Sequence, residues 1–340
     1  MPVGSRVAQL LFALLLLIAT AFAVQPKGKA RSKAVRPVAQ VNFDPAAVNQ
    51  GSEAPPLHEK DAGSAVLRAQ ILLDRAGLSV GEMDGHVGSN MAHAILGIRA
   101  THGLPAEPSI DESVWKILNA DAGPVLTAYT TSADDFKGPF EKVPADMMRK
   151  AKLKYLGYAS PLEGIAEKFH IQPALLQKLN PGRSFQKAGE ELTVPNVRNP
   201  VTGMAARIIV SKHDSIVQVF DMDGKLLAQY PCTTGSEHDP LPIGEWKVTA
   251  VYRNPKFHYN PKLFWDAKAK DGPATIAPGP RNPVGLVWID LSKEHYGIHG
   301  TPAPGAIGHT ESHGCIRLTN WDAVELAGMA TAGTPVSLVE

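Results

Sequence analysis

The segment Ser312-His313-Gly314-Cys315-Ile316-Arg317-Leu318 sets a thiol close to an imidazole and a guanidinium. A second histidine-glycine pair lies upstream, in Tyr296-Gly297-Ile298-His299-Gly300-Thr301. The thiolate is the reactive form of cysteine. Near neutral pH it forms only beside a base or a positive neighbour, and imidazole is the usual supplier. Cys315 is therefore a candidate nucleophile for acyl transfer.

Such a nucleophile needs a base, an oxyanion site and a pocket for the acyl donor. His299 is the candidate base, because a strand end places a side chain firmly and Gly300 leaves space beside the ring. His313 stands two residues before Cys315. In an extended segment those side chains share a face, which would bring His313 to the same site. Backbone N–H groups around His313, Gly314 and Cys315 could form the oxyanion hole, since glycine permits the tight turn this requires. Arg317 either binds a substrate carboxylate or holds the loop through carbonyl oxygens. Gly300 and Ser312 join it as candidate substrate-binding positions.

The chain has two cysteines. A Cys232–Cys315 disulfide is the competing reading in an oxidising compartment, and it would silence the nucleophile. Cys232 precedes Thr233-Thr234-Gly235 at the end of a strand pattern and is expected to be packed and reduced. His86, His93 and His102 follow no recognised ligand spacing, nor does Cys315 with its histidines, so no metal or cofactor is expected.

The elements that must position these residues show period-two alternation from residue 207 onward. Arg207–Ser211, Ser215–Phe220, Leu226–Cys232, Gly244–Val251, Val284–Asp290, Gly297–His299 and Thr334–Val339 read as strands. Asp221-Met222-Asp223-Gly224-Lys225 is a hairpin turn. One late helix is expected from Asn320 to Ala330. Short strands, loops rich in Gly and Pro and one helix make a β-sandwich or barrel with an appended helix.

The N-terminal half reads differently. Arg6, the apolar run Leu10–Ile18 and Ala21-Phe22-Ala23 form an export signal over residues 1–23, too short for a comfortable membrane span. Residues 24–60 carry Lys27, Lys29, Arg31, Lys33 and Arg36 and then Pro, Ala, Gly and Ser, the composition of a disordered linker. Helical spacing appears over 61–121, followed by a weakly patterned connector over 122–154. Two short helices and the strand Glu191–Pro195 fall within 155–199. A formal charge of +1, from 34 basic and 33 acidic residues, argues against a nucleic-acid surface.

The residues carry three resemblances. Tyr-Gly-Ile-His-Gly-Thr, Gly308, Ser-His-Gly-Cys-Ile-Arg-Leu and Asp322 resemble the L,D-transpeptidase catalytic domain, the YkuD family. Thr233-Thr234-Gly235, Leu241-Pro242-Ile243-Gly244 and Ile276–Gly285 extend the likeness over residues 205–340. Ala69–Leu73, Gly77-Leu78, Met83-Asp84-Gly85, Val87-Gly88, His102-Gly103-Leu104 and Val114-Trp115 resemble the three-helix peptidoglycan-binding-like domain. Leu176-Gln177-Lys178-Leu179-Asn180-Pro181 and Leu192-Thr193-Val194-Pro195 resemble a LysM module, a βααβ fold. The expected fold class is therefore multidomain α+β, with a mostly-β L,D-transpeptidase sandwich at the C-terminus. The resemblance implies Cys315 as nucleophile, His299 as proton donor and acceptor, and His313 with Gly314 shaping the oxyanion site. It implies peptidoglycan as partner, with stem tetrapeptides as acyl donors, D-Ala as leaving group and 3-3 crosslinks as products. It also implies a periplasmic or cell-envelope location, with no nucleic acid and no integral membrane contact after signal cleavage. A hydrolase on the same acyl-enzyme route and a silent wall-binding scaffold are the alternatives.

Overall fold

In a computed structural model of the chain, the described residues are 43–51, 55–121, 123–197 and 201–340. The expected signal and the basic part of the linker lie outside them. The helices are α1 (Pro45–Gln50), α2 (Ser64–Arg75), α3 (Ser89–Thr101), α4 (Glu112–Leu118), α5 (Met147–Lys150), α6 (Pro161–Lys168), α7 (Pro173–Leu179) and α8 (Asn320–Met329). The strands are β1 (Leu126–Thr130), β2 (Glu191–Pro195), β3 (Arg207–Ser211), β4 (Ile216–Phe220), β5 (Leu226–Pro231) and β6 (Gly244–Arg253). They continue with β7 (Phe257–Tyr259), β8 (Ala274–Ile276), β9 (Val287–Leu291), β10 (Gly297–His299), β11 (Ile316–Arg317) and β12 (Pro335–Val339). None of the described helices is long and apolar enough to cross a membrane.

The C-terminal half is one eight-stranded ladder in the order β11-β10-β9-β6-β12-β3-β4-β5. Its strands bury alternate residues: Ile208 and Val210 on β3, Val217 and Val219 on β4, Val336 and Leu338 on β12. That is the signature of a sheet with one face on a core. The expected sandwich arises from this single ladder because β6 serves two partners. Its start pairs with β12, and its end, from Val248 on, pairs with β9 across a register shift between Val248 and Ala250. A bulge of this kind bends the strand and lets it pass from one sheet face to the next. Ala323, Leu326 and Met329 of α8 enter the same core.

The N-terminal half departs from the sequence expectation in three ways. First, residues 43–51 and 55–60 of the linker expected to be disordered are placed, 43–51 of them around a helix. Asp44 caps α1 by accepting from the Ala46 N–H, Pro45 opens the helix, and Phe43 and Val48 are buried. Second, the expected connector supplies β1, which pairs antiparallel with β2 from Leu126↔Pro195 to Thr130↔Glu191. The strand-helix-helix-strand unit therefore begins near residue 126 rather than 155. Third, the helical unit and this βααβ unit share one core that runs from Phe43 to Val194. Met83 joins them: its N–H donates to His170 O at 2.8 Å, and its carbonyl accepts from Gln172 N at 2.9 Å. The described residues, from Phe43 to Glu340, accordingly belong to one compact unit.

Among the contacts that tie these N-terminal units to the C-terminal half, one is at strand β5 and another at helix α6. Edge strand β5 is covered by residues 77–79, with Ser79 N donating to Gln229 O and Gln229 N to Gly77 O, both at 2.9 Å. This satisfies an edge that would otherwise template aggregation. The second of these is α6. Ser160 caps it by accepting from Glu163 N at 3.2 Å, and Pro161 opens it. Glu163 then pairs with Arg281, and Glu167, one turn later, accepts from Asn320.

Candidate active site

Strand register brings the site together. β10 and β11 run parallel, with Ile298 opposite Ile316 and His299 opposite Arg317. Ile298 and Ile316 are fully buried and face the core. Side chains alternate along strands, so His299, Arg317 and Cys315, which immediately precedes β11, fall on the other face. β9 adds Trp288 to that face, opposite His299. The indole stacks on the imidazole with centroids 5.3 Å apart and planes 19° from parallel. These four residues line one open cavity of about 1450 Å³, together with Tyr296 and His313.

The tautomer of His299 follows from its partner. Nδ1 lies 2.7 Å from Gly300 O, a carbonyl that can only accept, so Nδ1 carries the proton and Nε2 is left as the base. Burial lowers the imidazole to about 3, the nearby Arg317 charge adds to this, and the Gly300 hydrogen bond opposes it. Burial likewise raises the Cys315 thiol, opposed by the Gly297 N–H and by Arg317. The resting pair is therefore a neutral thiol and a neutral imidazole. Cys315 Sγ donates to His295 O at 3.6 Å, and no hydrogen bond joins it to His299 among the described residues. Buried Cys232 is pushed well above the ordinary thiol range by desolvation and has no disulfide partner; both cysteines are free.

The loop before the nucleophile is fixed at both ends. Ser312 is 4% exposed; its N–H donates to Thr234 O at 2.9 Å and its hydroxyl to Cys315 O at 2.6 Å. Gly314 has φ +97°, and an added Cβ would stand 2.8 Å from the Tyr296 ring. Only glycine adopts that backbone readily. The N–H groups of Gly314 and Cys315 donate to no protein acceptor among the described residues.

Several sequence expectations change here. His313 lines the same cavity as Cys315, and across the positive φ of Gly314 it meets the far wall of that cavity. Its Nε2 lies 3.0 Å from Asp266 Oδ1, and its ring meets Phe264 and Trp265. These residues belong to a flap between β7 and β8, backed by Met147, Met148 and Leu153 of the connector. Ser312 is turned inward to hold the loop, so its hydroxyl is not offered to substrate. Gly300 packs on Asn320, whose Oδ1 would lie 2.3 Å from an added Cβ, so its role is close approach. The Arg317 guanidinium makes no side-chain hydrogen bond among the described residues, and the loop-holding alternative lacks a contact. Trp288, Asp266 and Asn320 were not singled out from sequence. Trp288 and Asn320 reach the site only through strand pairing and helix docking, and Asp266 through the flap.

Residues 205–338 match the family model described as the L,D-transpeptidase catalytic domain, YkuD. The chain is also 35% identical over 179 residues to the YkuD L,D-transpeptidase of Bacillus licheniformis, covering 52% of this chain and 92% of that protein. The chain belongs to the L,D-transpeptidase family. The YkuD protein of Bacillus subtilis is 31% identical over 178 residues, with 52% and 92% covered. YbiS of Escherichia coli, also named an L,D-transpeptidase, is 27% identical over 190 residues, with 54% and 61% covered. Peptidoglycan is the substrate class of this family, and Cys315, His299 and Arg317 lie within the matched segment.

Proposed function

We propose that this L,D-transpeptidase is an exported enzyme that uses Cys315 to take an acyl group from peptidoglycan stem tetrapeptides. The observation that carries this reading is that Cys315 and His299 line one cavity, with the Nδ1 proton of the imidazole held by Gly300 O and Nε2 left to act as base. The thiol rotates from the His295 carbonyl toward His299. Its proton passes to Nε2 as Sγ attacks the carbonyl of the L,D bond between stem residue three and D-Ala. The oxyanion that forms is held by the free N–H groups of Gly314 and Cys315, each such donor contributing about 3 kcal/mol. The imidazolium returns the proton to the D-Ala amine, which leaves, and a thioester remains. An acceptor amine then loses its proton to His299 and attacks the thioester, giving a 3-3 crosslink and restoring the thiol. Arg317 stabilises the thiolate as it develops and is free to pair with a substrate carboxylate. His313 shapes the acyl pocket through Asp266 and the flap.

The module readings belong to the same proposal. Residues 61–121 are a peptidoglycan-binding-like unit, and the βααβ unit is LysM-like. The alignment to the Bacillus licheniformis protein is longer than segment 205–338, so the likeness to that protein includes part of the βααβ unit. Modules that hold the wall would raise the local substrate concentration without new catalytic contacts. The test is incubation of the protein with disaccharide tetrapeptides and mass analysis of the products. Crosslinked dimers mean transpeptidation, tripeptides alone mean hydrolysis with water as acceptor, and unchanged substrate contradicts catalysis.

A further inference from the structure

Within the βααβ unit, β1 and α6 are joined by the long segment 131–160, far beyond the usual connection of about 4–6 residues; links of such length usually carry function. The later part of this insertion lies on the catalytic half. Leu156 is fully buried, its N–H donates to Pro278 O at 2.9 Å, and its carbonyl accepts from Arg281 N at 3.0 Å. Between those two partners stands Gly279, at φ +136°, where an added Cβ would overlap the Leu156 backbone. Val143 and Leu156 of the insertion share a small core with Tyr259 of β7 and Ile276 of β8, and Met147 and Met148 of α5 pack against it. The base of the flap between β7 and β8 therefore rests on the N-terminal half of the chain.

The tip of the flap is tied on two sides by residues two apart. Asp266 Oδ1 lies 3.0 Å from His313 Nε2, on the loop that carries the nucleophile. Lys268 Nζ donates to Asp146 Oδ2 at 2.7 Å, on the insertion. Phe264 touches both sides, packing on the small core and setting its ring edge-on to His313 with centroids 5.1 Å apart. Asp146 also caps α5, its Oδ1 accepting from Arg149 N at 3.0 Å. Asp146 and Met147 line the same cavity as Cys315 and Arg317. We propose that the insertion of the βααβ unit is one wall of the substrate cavity, and that Asp146 is a positioning residue that holds the flap against the nucleophile loop through Lys268. The N-terminal half then completes the site that receives the stem peptide. A wall fixed before binding spares the substrate the cost of ordering it, so the tie acts on affinity.

The inference rests on the reading of the cavity as the stem-peptide site, and its test separates the two. Full-length D146N and K268M are compared with wild type by turnover of disaccharide tetrapeptide and by hydrogen exchange of the flap amides. Asparagine still caps a helix, so D146N removes the ion pair and leaves α5 its cap. K268M removes the pair from the flap side without touching α5. Each should raise KM by about 5-fold with kcat unchanged and speed amide exchange over 260–273. The double variant should do no more than either single one, because both remove the same tie. K268R keeps the pair and should keep the wild-type KM and exchange. An unchanged KM or unchanged flap exchange in D146N and K268M, effects that add in the double variant, or K268R behaving like K268M overturns the proposal. Faster flap exchange in D146N and K268M, with wild type inactive on tetrapeptides, supports the tie and rejects the substrate reading alone.

Discussion

Replacing Gly314 with alanine tests whether backbone geometry holds the nucleophile. The residue sits at φ +97°, outside the regions L-residues favour, and holding a side chain there costs about 1–3 kcal/mol. The new Cβ would also lie 2.8 Å from Cε1 of Tyr296 and 3.2 Å from Cζ and Oη. Overpacking of this kind adds about 1–3 kcal/mol unless the ring moves. G314A should therefore lose about 2–6 kcal/mol of stability, measured by urea unfolding. If the backbone relaxes instead, Cys315 moves, and a displacement of about 1 Å costs about 100-fold in rate. The double variant G314A/Y296A separates the causes: removing the ring relieves the overlap and leaves the φ penalty. Partial recovery of stability with little recovery of acyl transfer is expected. A G314A protein within about 0.5 kcal/mol of wild type and fully active would refute the reasoning.

His299 makes stability depend on pH. Its imidazole is held at about 3 in the fold against 6.5 unfolded, so between those values the unfolded chain binds the extra proton. Stability from this group is complete above pH 6.5 and is lost as pH falls toward 3, at up to about 1.4 kcal/mol per pH unit. H299Q should show a flatter loss of unfolding free energy between pH 6 and pH 4 than wild type, and parallel slopes would contradict the burial argument. Ser312→Ala removes the hydroxyl that donates to Cys315 O at 2.6 Å and should cost about 1 kcal/mol with a reduced kcat, read by thermal melting and product formation.

Cys315 and His299 could be read as candidates, and they line one cavity, because they lie close in sequence and their chemistry is rare. The strands Arg207–Ser211 and Gly297–His299 were legible too, since alternation marks a half-buried strand. The late helix was expected to Ala330 and ends at Met329. Long-range pairing was not legible. No pattern in Leu126–Thr130 announces that it pairs with β2, because its burial is one-sided and weak. The stack of Trp288 on His299 depends on the antiparallel register of β9 with β10. His313 was expected beside Cys315 and lines the same cavity, but its partner Asp266 comes from a distant loop that no local pattern marks. Asn320 reads as an ordinary helix start, and its contacts to α6 and to Gly300 exist only once the modules dock.

Intact-mass spectrometry of the protein during turnover of a disaccharide tetrapeptide tests the central claim most directly. A covalent adduct equal to the substrate less D-Ala, mapped by peptide digestion to Cys315 and absent in C315A, is the predicted result. An adduct on another residue, or turnover that persists in C315A, would contradict it.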